Sequence, residues 1–306
     1  MNTEEPNLLF VRQAVEKYFA SIDELERVLE GGSTYVYRFR SMTETFYARI
    51  MKEEESFAIE VKIHEMLIKS GVQVPKVVCF EHKNELLGLS FMIVEEIEGS
   101  CMESMSEKKD FEHILHQAGK QIALVNQIKV DGFGWVNRKV HHDLIGESDS
   151  FRGFYDELIT TVISGLPQSG FTDTEMKVIN DSLEMVFSNM NDTDAYLVHG
   201  DFDLTHIFCN KGRYTGIIDF GEIMGNSRFY DLAHFRFHTD FPKGINGMDA
   251  LLNGYREIYK LTEKDIFDID LLALFFGVWK LGKTLSRPNL YKYFLGKTKT
   301  QLERLR

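Results

Sequence analysis

The pattern of apolar and polar positions changes character about a third of the way along the chain. Residues 7–20 place Leu8, Leu9, Val11, Ala14 and Phe19 at helical spacing. Residues 25–40 are interrupted by Gly31-Gly32, and past the break Tyr35, Tyr37 and Phe39 alternate with Val36, Arg38 and Arg40. This predicts two strands joined by a tight glycine turn. A third strand follows at 46–51. Residues 56–69 carry Phe57, Ile59, Ile63, Met66 and Leu67 at helical spacing, and Gly71 ends that helix. Two more strands are expected at 77–80 and 91–97, the second closing at Gly99. The first third is thus a mostly antiparallel sheet with one crossing helix.

From Cys101 the period becomes helical. Residues 111–130, 151–164 and 174–190 are expected helices, the last with Asp173 as its N-cap. A strand-rich island at 196–220 interrupts them, and helices resume from Tyr230. The expectation is an α+β, bilobal chain: a small antiparallel β-sheet N-lobe over residues 1–99 and a larger, mainly helical C-lobe over 100–306. Such a division leaves a cleft for a ligand.

Composition narrows the class. The chain has 306 residues, 43% hydrophobic and 27% charged, with 24 Phe and 12 Tyr, which supplies two substantial cores and argues against disorder. Cys79, Cys101 and Cys209 have no metal or redox spacing and are expected as reduced, mostly buried thiols. The polar, acidic start argues against a signal peptide, and the longest apolar run, 271–279, is about half of a membrane span. The expectation is a soluble cytoplasmic protein, monomer or dimer. A net charge of −12 disfavours nucleic acid. The acidity is spread over both parts, with 11 basic and 18 acidic side chains (net −7) in residues 1–99 and net −5 in the rest. It therefore permits a cationic substrate without pointing to one.

Phosphoryl transfer to an alcohol needs a cover for the phosphates, a cation on them, carboxylates for Mg²⁺ and a carboxylate to orient the hydroxyl. Each has a candidate, in a consistent order. In Val198-His199-Gly200-Asp201-Phe202-Asp203-Leu204-Thr205-His206, Asp201 follows a strand and a glycine turn, and His206 stands five residues on as a metal or phosphate contact. Thirteen residues later, Ile217-Ile218 deliver Asp219 to a strand end, suited to Mg²⁺. Between them, Asn210-Lys211-Gly212 turns a short hairpin. In the N-terminal part, Gly32, Ser33 and Thr34 could bring backbone N–H groups to phosphates. A lone glycine turn is more often only a hairpin.

These segments resemble the aminoglycoside-phosphotransferase family of the protein-kinase-like superfamily, over about residues 25–238. The catalytic loop there reads H-x-D-x-x-x-x-N. Here His206 replaces the final Asn and Ile207 follows, as in aminoglycoside 2''-phosphotransferases and macrolide phosphotransferases. The resemblance implies a bilobal kinase-like fold that binds ATP or GTP with Mg²⁺ and phosphorylates a small-molecule hydroxyl, with an aminoglycoside antibiotic as the expected acceptor. It makes Asp201 the catalytic carboxylate and His206 and Asp219 the metal residues. Arg49 stands where kinases place a phosphate-binding lysine, with Glu60 as its partner; Lys52 and Glu65 are the competing candidates. Backbone groups at Glu95 to Ile97 would hold the base. Asp231, in Asp231-Leu232-Ala233, would brace the loop, and Gly132-Phe133-Gly134-Trp135 matches a turn frequent in these enzymes. Asp203, Glu222 and Asp240 could meet the ammonium groups of an aminoglycoside, while Tyr230, Phe235 and Phe237 are expected in the core. A macrolide or a metabolite alcohol (sugar, choline or amino acid) is the alternative acceptor. Away from catalysis, the alternative is a nucleotide-binding protein without turnover.

Overall fold

The computed structural model describes residues 5–29, 34–53, 55–105, 108–139, 143–166, 170–190, 194–241 and 243–305. Helix α1 (Leu8–Glu16) precedes strands β1 (Asp23–Val28), β2 (Thr34–Ser41) and β3 (Glu44–Met51). Helix α2 (Ala58–Lys69) and strands β4 (Val77–Glu81) and β5 (Phe91–Glu95) follow. The five strands form one sheet in the order β1-β2-β3-β5-β4, every neighbouring pair antiparallel. The alternation along β2 buries Tyr35, Tyr37 and Phe39 against Val11, Ala14 and Val15 of α1. Helix α2 buries Ile59, Ile63 and Leu67 in a different cluster, the one that also holds the apolar residues of the C-terminal part. This helix therefore couples the sheet to the rest of the chain.

The larger part begins with β6 (Ser100–Cys101), α3 (Phe111–Val125), β7 (Lys129–Val130), β8 (Gly134–Trp135), α4 (Phe151–Gly165) and α5 (Asp173–Met190). Then come β9 (Ala195–Val198), β10 (Ile207–Asn210), β11 (Arg213–Ile217), β12 (Met224–Asn226), α6 (Tyr230–His238), α7 (Gly247–Arg256), α8 (Glu263–Lys283) and α9 (Pro288–Arg304). Its strands form two small sheets, β11-β10-β6 and β7-β9-β12-β8. Helix α8 is the central one: every residue of its apolar run 271–279 is buried, so that run is core. No helix among the described residues is long and apolar enough to cross a membrane.

Some boundaries differ from the expectation. The helix read as 111–130 stops at Val125, because the buried Asn126 turns its amide onto Leu197 O (3.0 Å) and Asp231 Oδ2 (2.9 Å). The strand read as 91–97 stops at Glu95. Asp173 does not cap α5: Thr172 and Glu175 exchange side-chain and backbone hydrogen bonds, so the cap lies one residue earlier. Of the cysteines only Cys209 is buried; Cys79 and Cys101 are half-buried, and all three are free thiols. The glycine turn at residues 31–33 lies outside the described residues.

Candidate active site

The loop carrying Asp201 is fixed from three directions. Gly200 sits at φ 86°, and a side chain there would collide with the Glu222 carbonyl, so glycine is demanded twice. The fully buried Asp231 accepts hydrogen bonds from the His199 N–H (2.9 Å), the Gly200 N–H (3.0 Å) and the Asn126 amide. It is a brace, as the sequence suggested. The Ile218 carbonyl can only accept, so His199 donates to it from Nε2 (2.8 Å) and its Nδ1 accepts from the Asp201 N–H (3.3 Å). Burial lowers the pKa of His199 and favours this neutral form. One imidazole thus ties the loop of Asp201 to the strand end that presents Asp219.

Both carboxylates are open and both act on His206: the Asp201 side chain is 46% exposed and that of Asp219 is 45% exposed. Asp219 sits in the left-handed region at φ 64°, a conformation costing a branched-Cβ-free residue about 1 kcal/mol or more. Hairpin β10–β11 carries the chain between them, turned by Lys211 (φ 49°) and Gly212 (φ 76°) as the sequence predicted. Between the two acids lies His206, with Nδ1 3.2 Å from Asp203 Oδ1 and Nε2 3.9 Å from Asp201 Oδ2. Burial works against its charge, but the bond to Asp203 and the fields of Asp201, Asp203 and Asp219 prevail and raise its pKa to about 9. Asp203 is burdened by burial too, yet His206 and Thr205 hold its carboxyl well below the usual range. His206 is therefore an imidazolium in the ion-free protein, and joins a cation only by giving up a proton.

Asp201, Asp203 and His206 place one ligand atom each within 4.8 Å of one another, a group able to hold a metal. Asp219 is not part of that group, so the pairing of His206 with Asp219 expected from sequence is not the closest one. The oxygens of these carboxylates fit a hard ion such as Mg²⁺ better than the imidazolium does. His234 completes this side: Nδ1 faces the Phe202 carbonyl (3.1 Å) and must carry the hydrogen, while Nε2 lies 3.4 Å from Asp201 Oδ1. Burial pushes its pKa down to about 3, so the Nε2 lone pair, not a charged N–H, faces Asp201. The 3.4 Å approach is not an ion pair at neutral pH.

Across the cleft, Arg49 is buried on β3 and pairs with the fully buried Glu60 of α2; its Nη2 also lies 3.5 Å from Asp219 Oδ1. Burial alone would raise the Asp219 pKa, but Arg49 first and His206 next hold it below the usual range. The competing candidates fall away: Lys52 lies past β3 over the Tyr35 ring (5.1 Å), and Glu65 is exposed. Arg138, absent from the sequence reading, donates to Glu60 Oε2 (3.3 Å) and to the Gly221 carbonyl (2.8 Å). Thr34, Arg49, Glu60, Arg138, Trp135 and Glu222 line a common cavity of about 500 Å³. Gly32 and Ser33 lie outside the described residues. The Glu95 N–H closes on Lys76 O (2.9 Å) and the Glu96 N–H on Thr45 O (3.1 Å), so neither is free for a base.

Of the acids proposed for ammonium groups, Asp203 is engaged by His206 and Asp240 by Lys297 (2.7 Å). Glu222 accepts from the Trp135 indole (3.3 Å) and alone belongs to the cavity. Tyr230, Phe235 and Phe237 are buried, as expected. His234 carried a signal, one turn after Asp231 on α6. Arg138 carried none, because its partners lie 78 and 83 residues away.

The family model described as phosphotransferase enzyme family matches residues 24–265. An aminoglycoside 3'-phosphotransferase of Enterococcus faecalis is 23% identical over 230 residues, spanning 73% of this chain and 81% of that one. Among solved structures, a thermostable mutant of aminoglycoside phosphotransferase APH(4)-Ia, in ternary complex with AMP-PNP and hygromycin B, superposes with a TM-score of 0.68 at 17% identity. That match covers 96% of this chain and 98% of the other. A candidate fructosamine-3-kinase from Thermobifida fusca gives a TM-score of 0.62 at 15% identity, over 96% and 98% of the two chains.

Proposed function

The chain belongs to the phosphotransferase enzyme family, and from that premise we propose that it moves a nucleotide γ-phosphoryl group onto a small-molecule hydroxyl beside Asp201. The observation that carries the reading is the pair of half-exposed carboxylates Asp201 and Asp219 at the ends of one hairpin, both felt by His206, with Arg49 facing Asp219. Residues 1–99 act as the nucleotide lobe and 100–306 as the catalytic and acceptor lobe.

Asp201 orients the hydroxyl and receives its proton as the oxygen bonds to the γ-phosphorus and the bond to the β–γ bridging oxygen breaks. His199 and Asp231 hold Asp201 at a fixed height, and Arg49, kept in place by Glu60, faces the phosphate oxygens. Asp219 and His206 would hold Mg²⁺, which supplies charge neutralisation on the phosphates, while the Asp201 carboxylate is kept for the hydroxyl. ATP or GTP would lie with its phosphates at Thr34 and Arg49 and its base at the Glu95 carbonyl and the Ile97 backbone. AMP-PNP in the APH(4)-Ia complex supports nucleotide binding of this kind.

Relatives carry aminoglycosides in their names, and an aminoglycoside acceptor would need open acids. Two of the three candidates are already engaged by a cation, which favours the alternative, a metabolite alcohol, over a polycationic antibiotic. The test is transfer of label from γ-labelled ATP or GTP across a panel of antibiotics and metabolite alcohols. Label in an acceptor supports the reading; label confined to nucleotide or free phosphate across the panel contradicts it.

A further inference from the structure

We infer that Lys280 and Lys283, one turn apart near the end of α8, recognise an anionic group, a carboxylate or a phosphate, on the molecule that receives the phosphoryl group. The inference rests on the kinase reading above and names the substrate class of that same site.

Four observations lead there. Lys280 stands in the field of Asp201 and Glu222, and Lys283 in that of Glu222 and Glu147, so both belong to the acceptor side of the cleft. Neither ammonium group makes an ion pair or a hydrogen bond among the described residues. On the same helix Lys264 is paired with Asp268 at 2.7 Å, and on α9 Lys297 is paired with Asp240. The two ammonium groups are held by ring faces: Lys283 lies 4.6 Å from Trp135 and 4.4 Å from Trp279, and Lys280 lies 5.1 Å from Trp279 and from Phe276. Trp135 itself lines the 500 Å³ cavity, which puts Lys283 behind that ring, although neither lysine is itself a lining residue. Lys280 is half-buried and Lys283 exposed, and desolvation lowers the pKa of both.

Two cations, Lys280 in the field of the catalytic carboxylate and Lys283 against the Trp135 ring, repel an incoming ammonium group and attract an anion, and the adjoining indole offers a flat apolar face for a substrate ring or chain. Two of the three acids that would have welcomed a polycation are spent on His206 and Lys297, which leaves Glu222. Charge, pairing and position therefore agree on a hydroxylated acid or phosphate ester.

The test uses two matched series as acceptors with MgATP and MgGTP: glycerol, serinol, glycerate and glycerol 3-phosphate; and glucose, glucosamine, gluconate and glucose 6-phosphate. The expected result is a KM at least about tenfold lower for an anionic member than for the neutral one, with amino members and kanamycin weakest. Which anion prevails distinguishes carboxylate from phosphate. Lys280→Met with Lys283→Met should raise KM for the anionic acceptor about tenfold or more, and the arginine pair should restore it. Lys280→Glu with Lys283→Glu should turn preference towards the amino members, an inversion that misfolding cannot produce. Equal KM within a series, preference for amino members, or a fall in kcat common to all acceptors overturns the inference, the last because the lysines would then serve the transferred phosphoryl group. Calorimetric titration of the same anions into the protein loaded with AMP-PNP separates the two readings. Lysine-dependent binding without transfer to any acceptor sinks the kinase reading and upholds the anion site. Transfer without anion preference does the reverse.

Discussion

The two walls of the cleft hold their charges in opposite ways. On the sheet side, Glu60 is fully buried and shared by Arg49 and Arg138, with His64 4.0 Å away. On the helical side, Asp201 is 46% exposed, and Lys280 and Lys283 are unpaired among the described residues. The first wall is closed upon itself: each charge has lost its water and regained a partner, which fixes the distance between α2 and the Gly221 segment. The second wall keeps charges whose partners arrive with the ligands. A group that must grip the same phosphates in every cycle is built rigid, and a group that must meet an acceptor is left open.

Breaking the closed wall should therefore cost stability, and breaking the open one should cost function. Largest is Glu60→Ala, which leaves Arg49 with Asp219, and Arg138 with the Gly221 carbonyl and Glu55 at 4.0 Å. A loss of about 3–5 kcal/mol is expected, read as a fall in melting temperature. Next, Arg49→Met and Arg138→Met share Glu60 as partner, so their double-mutant cycle in denaturant should show a coupling of about 0.5–3 kcal/mol; strict additivity would mean that the two arginines do not act through one carboxylate. The third concerns His206 in the ion-free protein. Its folded pKa is raised from 6.5 to about 9, so the stability it contributes is complete below about pH 6.5 and fades as pH rises towards 9. The melting temperature of wild type minus that of His206→Gln should shrink across that window; a constant difference would contradict the Asp203–His206 pairing. Smallest in stability is Trp135→Phe, which removes one exposed bond to Glu222, about 1 kcal/mol or less, yet should raise the acceptor KM.

What the sequence disclosed follows the same division. The loop from His199 to Asp219 was legible because its logic is local: a glycine turn, a β-hairpin with Lys211-Gly212, and a strand ending at an acid all lie within 21 residues. Arg49 with Glu60 was legible through spacing along one strand and one helix. Arg138 was not, because nothing near it in the chain announces a partner on α2. The end of α3 was misplaced because Ile128 and Val130 continue an apolar period, whereas Asn126 is committed to Asp231, 105 residues on. Lys280 and Lys283 left a trace, as cations one turn apart after an apolar run, but only the fold sets Lys280 in the field of Asp201 and Lys283 against the Trp135 ring.

The central claim is that Asp201 receives the acceptor hydroxyl while the opposite wall binds the nucleotide. The most direct measurement is acceptor-dependent ADP formation by wild type and Asp201→Asn, with nucleotide affinity measured on both by titration of AMP-PNP. The account expects kcat to fall by about 10²–10⁴-fold with nucleotide affinity nearly unchanged. Undiminished turnover by Asp201→Asn would contradict it.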